Sequence, residues 1–388
     1  MAVVPTATEG LARGLPVRDW LLRDARFIDD HDAATMGLVQ RLTDAGVPLD
    51  RMATAYPTLH AERRGLGRIW TREDGVRELE FPWGNQAVYE ASPYHLAHQT
   101  REWVRVRLDE RADTPFEITD ELRAAGYSDY VCVPVFFQDD GAGGVTFATR
   151  LADGFADHHL DVVRIVEPAL AMLIDLRRAW QLFRETLGMY VGVEPRDRIL
   201  SGQVQRGDTL DIRAAVLFAD MQGFTSRSSS LDARDTVALL NRFFDCIVSP
   251  IESEGGEVLK YLGDGVLAIF NDLDDDVACR RALNAAISAH ERVVDGGEFG
   301  VKLALHHGSV AFGNVGSGAR LDYTVIGRDV NIASRLADLC STTAAPLVAS
   351  AAFARRVPSF EVRDLGDVTL RGVIGAVPVV AWQPRAGA

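Results

Sequence analysis

The sequence predicts an α+β protein in two parts: an N-terminal α+β domain, a long connecting helix and linker, and a C-terminal ferredoxin-like, palm-type sheet. Three observations predict it. In the first half, short β-forming runs separated by turn clusters lie between two long helical stretches. Near the middle, an amphipathic helix gives way to a stretch rich in Gly, Pro, Arg and Asp. The second half then reads strand, helix, strand, strand, helix, strand, an order that places its helices on one face of a sheet.

The N-terminal domain opens with a loose tail over residues 1–15 and a helical stretch from Val17 to Ala45, marked by Trp20, Leu21, Phe27, Leu38, Val39 and Leu42. Gly67–Thr71 and Val76–Phe81 read as strands about the turn Glu73-Asp74-Gly75. Tyr130–Phe137 is rich in β-formers, and Gly144–Thr149 follows the turn Asp139-Asp140-Gly141. A long helix is expected from Asp157 to Tyr190, with Pro168 in its first turn or at a kink. Along it Ala169, Leu173, Leu176, Trp180, Phe183 and Leu187 recur at spacings of 4, 3, 4, 3 and 4, a heptad stripe suited to a two-stranded coiled coil. One helix packing on its own domain gives the same pattern over so short a span, so both readings stand.

In the second domain Ala214–Ala219 reads as a buried strand. Asp232–Ser253 is an amphipathic helix with Val237, Leu240, Phe244 and Val248 on one face. Glu257–Phe270 is a hairpin turning at Gly263-Asp264-Gly265, Asp276–Val294 a second helix, and Val301–Ala311 a further strand.

Composition narrows the function. The chain has 388 residues, room for two or three domains at roughly 150 residues each. With 47% hydrophobic and 25% charged residues it is an ordinary globular sequence. A net charge of −14 gives no excess of cations to neutralise a nucleic-acid backbone, which excludes a general nucleic-acid binder. No run of about 18 apolar residues is present, and Met1–Gly10 lacks the basic start and apolar core of a secretory leader, so a cytoplasmic, non-membrane protein is expected. Cys132, Cys246, Cys279 and Cys340 are scattered, as suits buried thiols rather than a zinc ribbon or a disulfide framework. The doublets His158-His159 and His306-His307 place neighbours on different faces and read as structural.

The residues that carry chemistry lie at element ends. Asp220 ends the first strand of the second domain in Phe218-Ala219-Asp220-Met221-Gln222-Gly223-Phe224-Thr225, and Asp264 lies at the hairpin tip in Lys260-Tyr261-Leu262-Gly263-Asp264-Gly265. Two hard carboxylates side by side would hold Mg²⁺ or Mn²⁺, metals that bridge phosphate oxygens. Taken alone, an Asp in a Gly-flanked turn is more often a turn former. The backbone N–H groups of Gly223, Phe224 and Thr225, leading into a helix, suit a triphosphate. Asn331 and Arg335, four apart on one helix face, suit a sugar and a pentavalent phosphate.

Together with His306-His307-Gly308-Ser309-Val310-Ala311-Phe312-Gly313-Asn314-Val315-Gly316, Asp322-Tyr323-Thr324-Val325-Ile326-Gly327 and Val330-Asn331-Ile332-Ala333-Ser334-Arg335-Leu336, these motifs resemble the catalytic domain of class III nucleotidyl cyclases over Ile212–Trp382. The resemblance implies metal binding by Asp220, Asp264 and the Met221 carbonyl, with two ions per site. It implies purine reading by Lys260 and Thr324, ribose orientation by Asn331, transition-state stabilisation by Arg335 and a triphosphate contact by Arg371. Lysine donates to adenine N1 and threonine accepts from its exocyclic amine, whereas guanine reverses both polarities. The expected reaction is therefore ATP to 3′,5′-cyclic AMP and pyrophosphate.

In this family the site forms between two catalytic domains, and this chain carries both residue sets in one domain, so a homodimer with shared sites is expected. Trp20–Tyr190, through its entry helix, Tyr127–Pro134 and Phe155, resembles a GAF sensor domain. That implies regulation by a small-molecule or protein effector which the sequence does not identify, or else a dimerisation module without a ligand. The expected layout is a tail over 1–15, a GAF-like domain over 16–168, a connecting helix and linker over 169–211, and the catalytic domain over 212–384. Two other readings are a catalytically dead nucleotide-binding regulator, disfavoured by the full residue set, and a diguanylate cyclase, disfavoured by Gly263-Asp264-Gly265 in place of that family's hairpin signature.

Overall fold

The computed structural model describes residues 7–84, 86–108, 116–318 and 320–382. The chain divides into two compact units, and the boundary between Thr186 and Leu187 falls inside a helix.

The first unit contains α1 (Ala7–Arg23), α2 (His31–Asp44), β1 (Arg51–Pro57), β2 (Arg63–Thr71), β3 (Gly75–Pro82), α3 (Gln86–Glu90), α4 (Pro93–Thr100), β4 (Val104–Arg107), α5 (Ile118–Ala124), β5 (Asp129–Phe136), β6 (Ala142–Thr149) and α6 (Asp157–Val191). Its six strands form one antiparallel sheet in the order β3-β2-β1-β6-β5-β4. Met52, Tyr56, Val131, Val133 and Phe147 on one face meet Leu21, Leu38, Leu42, Val163 and Leu170 from the helices.

Two expectations change here. The helix expected over 17–45 is two helices, because the Asp30 side chain caps α2 by accepting from the Asp32 and Ala33 N–H groups. Residues 7–15, read as tail, lie in α1, whereas residues 1–6 are outside the described ones. In α6, Pro168 sits in the helix interior. The heptad stripe splits along α6. Ala169 and Leu173 are buried in the unit's own core, while Leu176, Trp180 and Phe183 are 56%, 55% and 49% exposed, with the Trp180 and Phe183 rings 5.7 Å apart.

The second unit contains α7 (Val193–Leu200), β7 (Thr209–Gln222), α8 (Phe224–Ser228), α9 (Ala233–Ser253), β8 (Glu257–Leu262), β9 (Gly265–Phe270), α10 (Asp275–Gly296), β10 (Gly300–Ser317), β11 (Arg320–Ile326), α11 (Arg328–Thr343), β12 (Leu347–Ser350), α12 (Ala351–Ala354), β13 (Val362–Thr369) and β14 (Ala376–Trp382). The expected order of strands and helices is present, extended by β11 to β14. The sheet runs β13-β14-β12-β10-β7-β9-β8, with β11 on the far half of β10. All neighbours are antiparallel except β10 and β12.

Alternation along β7 separates two cores. Ala215, Leu217, Ala219 and Met221 face α9 and α10, while Ala214 and Val216 face the side covered by α11. Helices thus cover both faces rather than one, because α11, the helix expected to carry Asn331 and Arg335, packs on the side opposite α9 and α10. The buried stripe of α9 is Leu239, Phe243, Ile247 and Ile251, one residue off the expected face, and Val237 is exposed. Residues 191–211, read as connector, include α7 and the start of β7, and residues 383–384 of the expected catalytic domain lie outside the described ones. Among the described residues no helix is long and apolar enough to cross a membrane.

Candidate functional site

Asp220 lies near the end of β7, in register with Gly265 of β9 on one side and Lys302 of β10 on the other. The turn between β8 and β9 brings Asp264 alongside, with Gly263 at φ 69°, a left-handed conformation in which a side chain would be strained. The Met221 N–H donates to the Asp264 carbonyl at 3.2 Å, tying strand end to hairpin tip. Met221's side chain is buried in the core, so only its backbone carbonyl remains to act as a ligand. Burial, and then the neighbouring charge of Asp220, push the Asp264 carboxyl above its ordinary range.

Lys302 answers that charge. Its ammonium donates to Asp220 Oδ2 at 2.7 Å. Burial opposes the ammonium, but the bond to Asp220 and the charges of both aspartates outweigh it and hold its pKa above the usual value. Sequence reasoning missed Lys302, yet a signal was present. Of the 41 Lys and Arg residues only two are lysines, Lys260 and Lys302. A chain that uses arginine for nearly every cation has lysine at only two positions, both in the second unit and each paired with an aspartate, where a compact point charge differs from a planar fork.

Past β7, Gly223 adopts a left-handed φ of 75° and starts α8, with Phe224 packed against the core and Thr225 exposed. The first N–H groups of a helix have no intrahelical acceptor, so this turn presents free donors beside the carboxylates.

Lys260, on β8, forms an ion pair with Asp322 of β11. Asp322 and Thr324 are two apart on one face of β11, so Lys260 is held beside the strand that carries Thr324, which is 7% exposed. In the sequence Asp322 appears only as the head of its motif, with no role of its own.

Asn331 and Arg335 sit one turn apart on the outer face of α11, while Ile332, Ala333, Leu336 and Cys340 turn inward. Asn331 lines a cleft of about 430 Å³ with Arg328, Gly372, Val373 and Ile374. Arg328 Nη2 donates to the Ile374 carbonyl at 3.0 Å, which brings the turn following Arg371 to the start of α11. Arg371 and Arg335 are both exposed, and Arg335 Nη1 lies 3.6 Å from Asp338 Oδ2. The structure thus gathers Asp220, Asp264 and Lys302 in one place, Lys260 with the strand of Thr324 in a second, and Asn331 with the 371–374 turn in a third. Among the described residues no hydrogen bond or ion pair joins the outer face of α11 to the carboxylates.

Residues 210–382 match the family described as the adenylate and guanylate cyclase catalytic domain. The chain is similar to an adenylate cyclase of Anabaena cylindrica, 29% identical over 212 residues that cover 49% of this chain and 42% of that one. It is 34% identical over 213 residues to an uncharacterized protein of Mycobacterium tuberculosis, covering 52% of this chain and 38% of the relative. It therefore spans about two fifths of the length of these curated relatives. The crystal structure of the adenylyl cyclase CyaB from P. aeruginosa aligns at a TM-score of 0.42 and 25% identity, over 46% of this chain and 98% of that one.

Proposed function

We propose that the chain, whose residues 210–382 match the adenylate and guanylate cyclase catalytic domain, is an adenylate cyclase converting ATP to 3′,5′-cyclic AMP and pyrophosphate. The observation that carries this reading is the placement of the chain's two lysines, Lys302 on the carboxylate pair and Lys260 beside the strand of Thr324. Asp220 and Asp264 fit a divalent cation, because one carboxyl is already pushed up by burial and by the other's charge, and a cation relieves both. Asp220, Asp264 and the Met221 carbonyl would hold Mg²⁺ or Mn²⁺, which would supply Lewis acidity toward the 3′-hydroxyl and charge neutralisation for the leaving pyrophosphate.

The chain's own groups do the rest. The N–H groups of Gly223, Phe224 and Thr225 take up triphosphate oxygens, and Lys302 and Arg371 add positive charge there. Lys260 donates to adenine N1 and Thr324 accepts from the exocyclic amine. Asn331 orients the ribose, and Arg335 offsets charge growing on the α-phosphoryl oxygens as the 3′-oxygen attacks in line.

Because Asn331 and Arg335 face outward while the carboxylates sit at the sheet end, a second copy of the chain supplies the missing half of each site, making a homodimer with two shared sites. The exposed Leu176, Trp180 and Phe183 suit a seam between the two copies. The first unit serves as a GAF-like sensor that sets turnover through an effector of its own.

The deciding experiment offers purified protein ATP or GTP with Mg²⁺ or Mn²⁺ and separates the products. Cyclic AMP should dominate. A mismatched purine leaves a buried donor or acceptor unpaired at a cost of about 1–3 kcal/mol. Lys260→Glu with Thr324→Cys should erode the preference, and equal cyclisation of both nucleotides by the wild type would refute the purine assignment.

A further inference from the structure

The edge of β10 that faces away from β7 is covered in two pieces. β12 pairs with Leu303–Leu305 and β11 with Ala311–Ser317, so among the described residues no strand lies beside 306–310 there. A bare ladder N–H in that gap needs another acceptor. The acceptor comes from the first turn of α11. Asp329 Oδ2 accepts from the Ser309 N–H at 2.7 Å. The same carboxylate lies over Gly308, where any Cβ would collide with it. Its other oxygen, Oδ1, is 3.5 Å from Nε2 of His306, a side chain only 6% exposed.

The imidazole is itself fixed. His306 Nδ1 is 2.7 Å from Ser350 Oγ, and Ser350 Oγ also accepts from the Phe353 N–H at 3.2 Å. Nε2 approaches the carboxylate at a distance longer than a hydrogen bond, while Nδ1 and the Ser350 hydroxyl share one hydrogen bond. His306, followed by the Ser309 amide and working against burial, holds the Asp329 carboxyl below the usual range. An acidic residue in a helix's first turn is ordinarily explained by the helix dipole. Here the carboxylate instead points across to β10 and fills a gap in its ladder.

Asp329 stands two residues before Asn331 and six before Arg335 on the same helix. We propose that Asp329, seated on Gly308 and Ser309 and backed by His306, is a positioning residue that sets the axial placement of α11 and thereby the reach of Asn331 and Arg335. The proposal rests on the cyclase reading of those two residues. It adds a role for residues outside the site described above, and it accounts for the glycine at position 308.

The test is a double-variant cycle on the full chain, following cyclic AMP formation from ATP with Mn²⁺. Asp329→Ala should lower kcat by about tenfold or more with KM changed less than about threefold, since a displacement of the order of 1 Å is enough to cost that much turnover. Asp329→Asn keeps an oxygen for the Ser309 N–H and should recover most of the loss. In an Arg335→Ala background the further loss from Asp329→Ala should be smaller than in the wild type, because only Asn331 is left to place. If Asp329→Ala does not fold, Gly308→Ala, which displaces the carboxylate without removing it, replaces it in the cycle with the same expected loss. Arg335→Ala inactive with Asp329→Ala near wild-type turnover, or losses that multiply in the double variant, would overturn the positioning role alone. Arg335→Ala with wild-type turnover would overturn the cyclase reading of α11 and this inference with it.

Discussion

The end of β7 and the outer face of α11 belong to one catalytic unit but are built on opposite terms. At the end of β7 charge is concentrated in a half-buried notch. Two aspartates stand side by side, one of them pushed toward its neutral form, with a lysine drawn onto the other. On α11 the functional candidates stand in the open, and Arg335 has only a loose, exposed approach to Asp338. The first region is complete within one chain and strained by its own charge. The second is relaxed and lacks a target. The contrast suits the proposed site shared between two copies, in which each half must be stable before the other arrives.

The largest expected effect breaks the first half. Asp220→Ala or Asp264→Ala should lower kcat by about a thousandfold or more, because each removes one of two charges that hold a cation at the phosphates. Circular dichroism should show the fold retained. An alanine variant turning over near the wild-type rate would end the assignment of this notch to the metal.

The next prediction tests whether the two halves come from different chains. Asp220→Ala and Arg335→Ala should each be nearly inactive. Mixed with subunit exchange verified, they should recover about a quarter of wild-type activity, because half of the dimers are mixed and each of those has one intact site of two. No recovery despite proven exchange would mean that each site is built within one chain.

The same contrast explains what was legible in the sequence. Asp220, Asp264, Asn331 and Arg335 sit at element ends or at helical spacing inside motifs, and the strand and helix order of the catalytic unit followed from periodicity. The roles of Lys302 and Asp322 were not legible, because they depend on register, and the rarity of lysine marks Lys302 without placing it. Lys302 matters because it lies opposite Asp220 across two strands, and Asp322 because β11 passes close to β8. The α9 stripe was misplaced by one residue, since flanking Leu240 and Phe244 are apolar too and periodicity cannot tell a core position from its half-buried neighbour. In the first unit the heptad stripe was visible, but its division into a buried and an exposed half was not. Ala169 and Leu173 meet the core of their own unit, a tertiary fact that a seven-residue repeat does not encode.

That exposed half gives a smaller prediction. If Leu176, Trp180 and Phe183 form the seam that aligns two copies, Trp180→Asp places a charge in a desolvated contact, at a cost of about 2 kcal/mol or more. Dimer mass by light scattering should fall and turnover drop severalfold, with larger losses at low protein concentration. Unchanged mass and turnover would leave the joining of the two halves to the catalytic units alone.

The smallest effect is on stability rather than rate, and it sharpens the account of the strained half. The Asp264 carboxyl is raised in the folded chain by burial and by Asp220, whereas in the unfolded chain it titrates in the ordinary range. The fold therefore favours the protonated form. That contribution is complete below the ordinary aspartate range and is lost as pH rises through the elevated folded value, so at neutral pH the metal-free protein carries an unfavourable charge here. Asp264→Asn removes it and, without metal, should melt at a higher temperature than the wild type at neutral pH. The gap should narrow as pH is lowered through the elevated value, where the wild type protonates and loses its disadvantage. Mg²⁺ or Mn²⁺ should raise the wild-type midpoint and move the variant much less, because the cation relieves the same repulsion that the substitution abolishes. A variant that melts below the wild type in the metal-free state at neutral pH would mean that Lys302 already balances the pair, and that the notch is not strained before a cation binds.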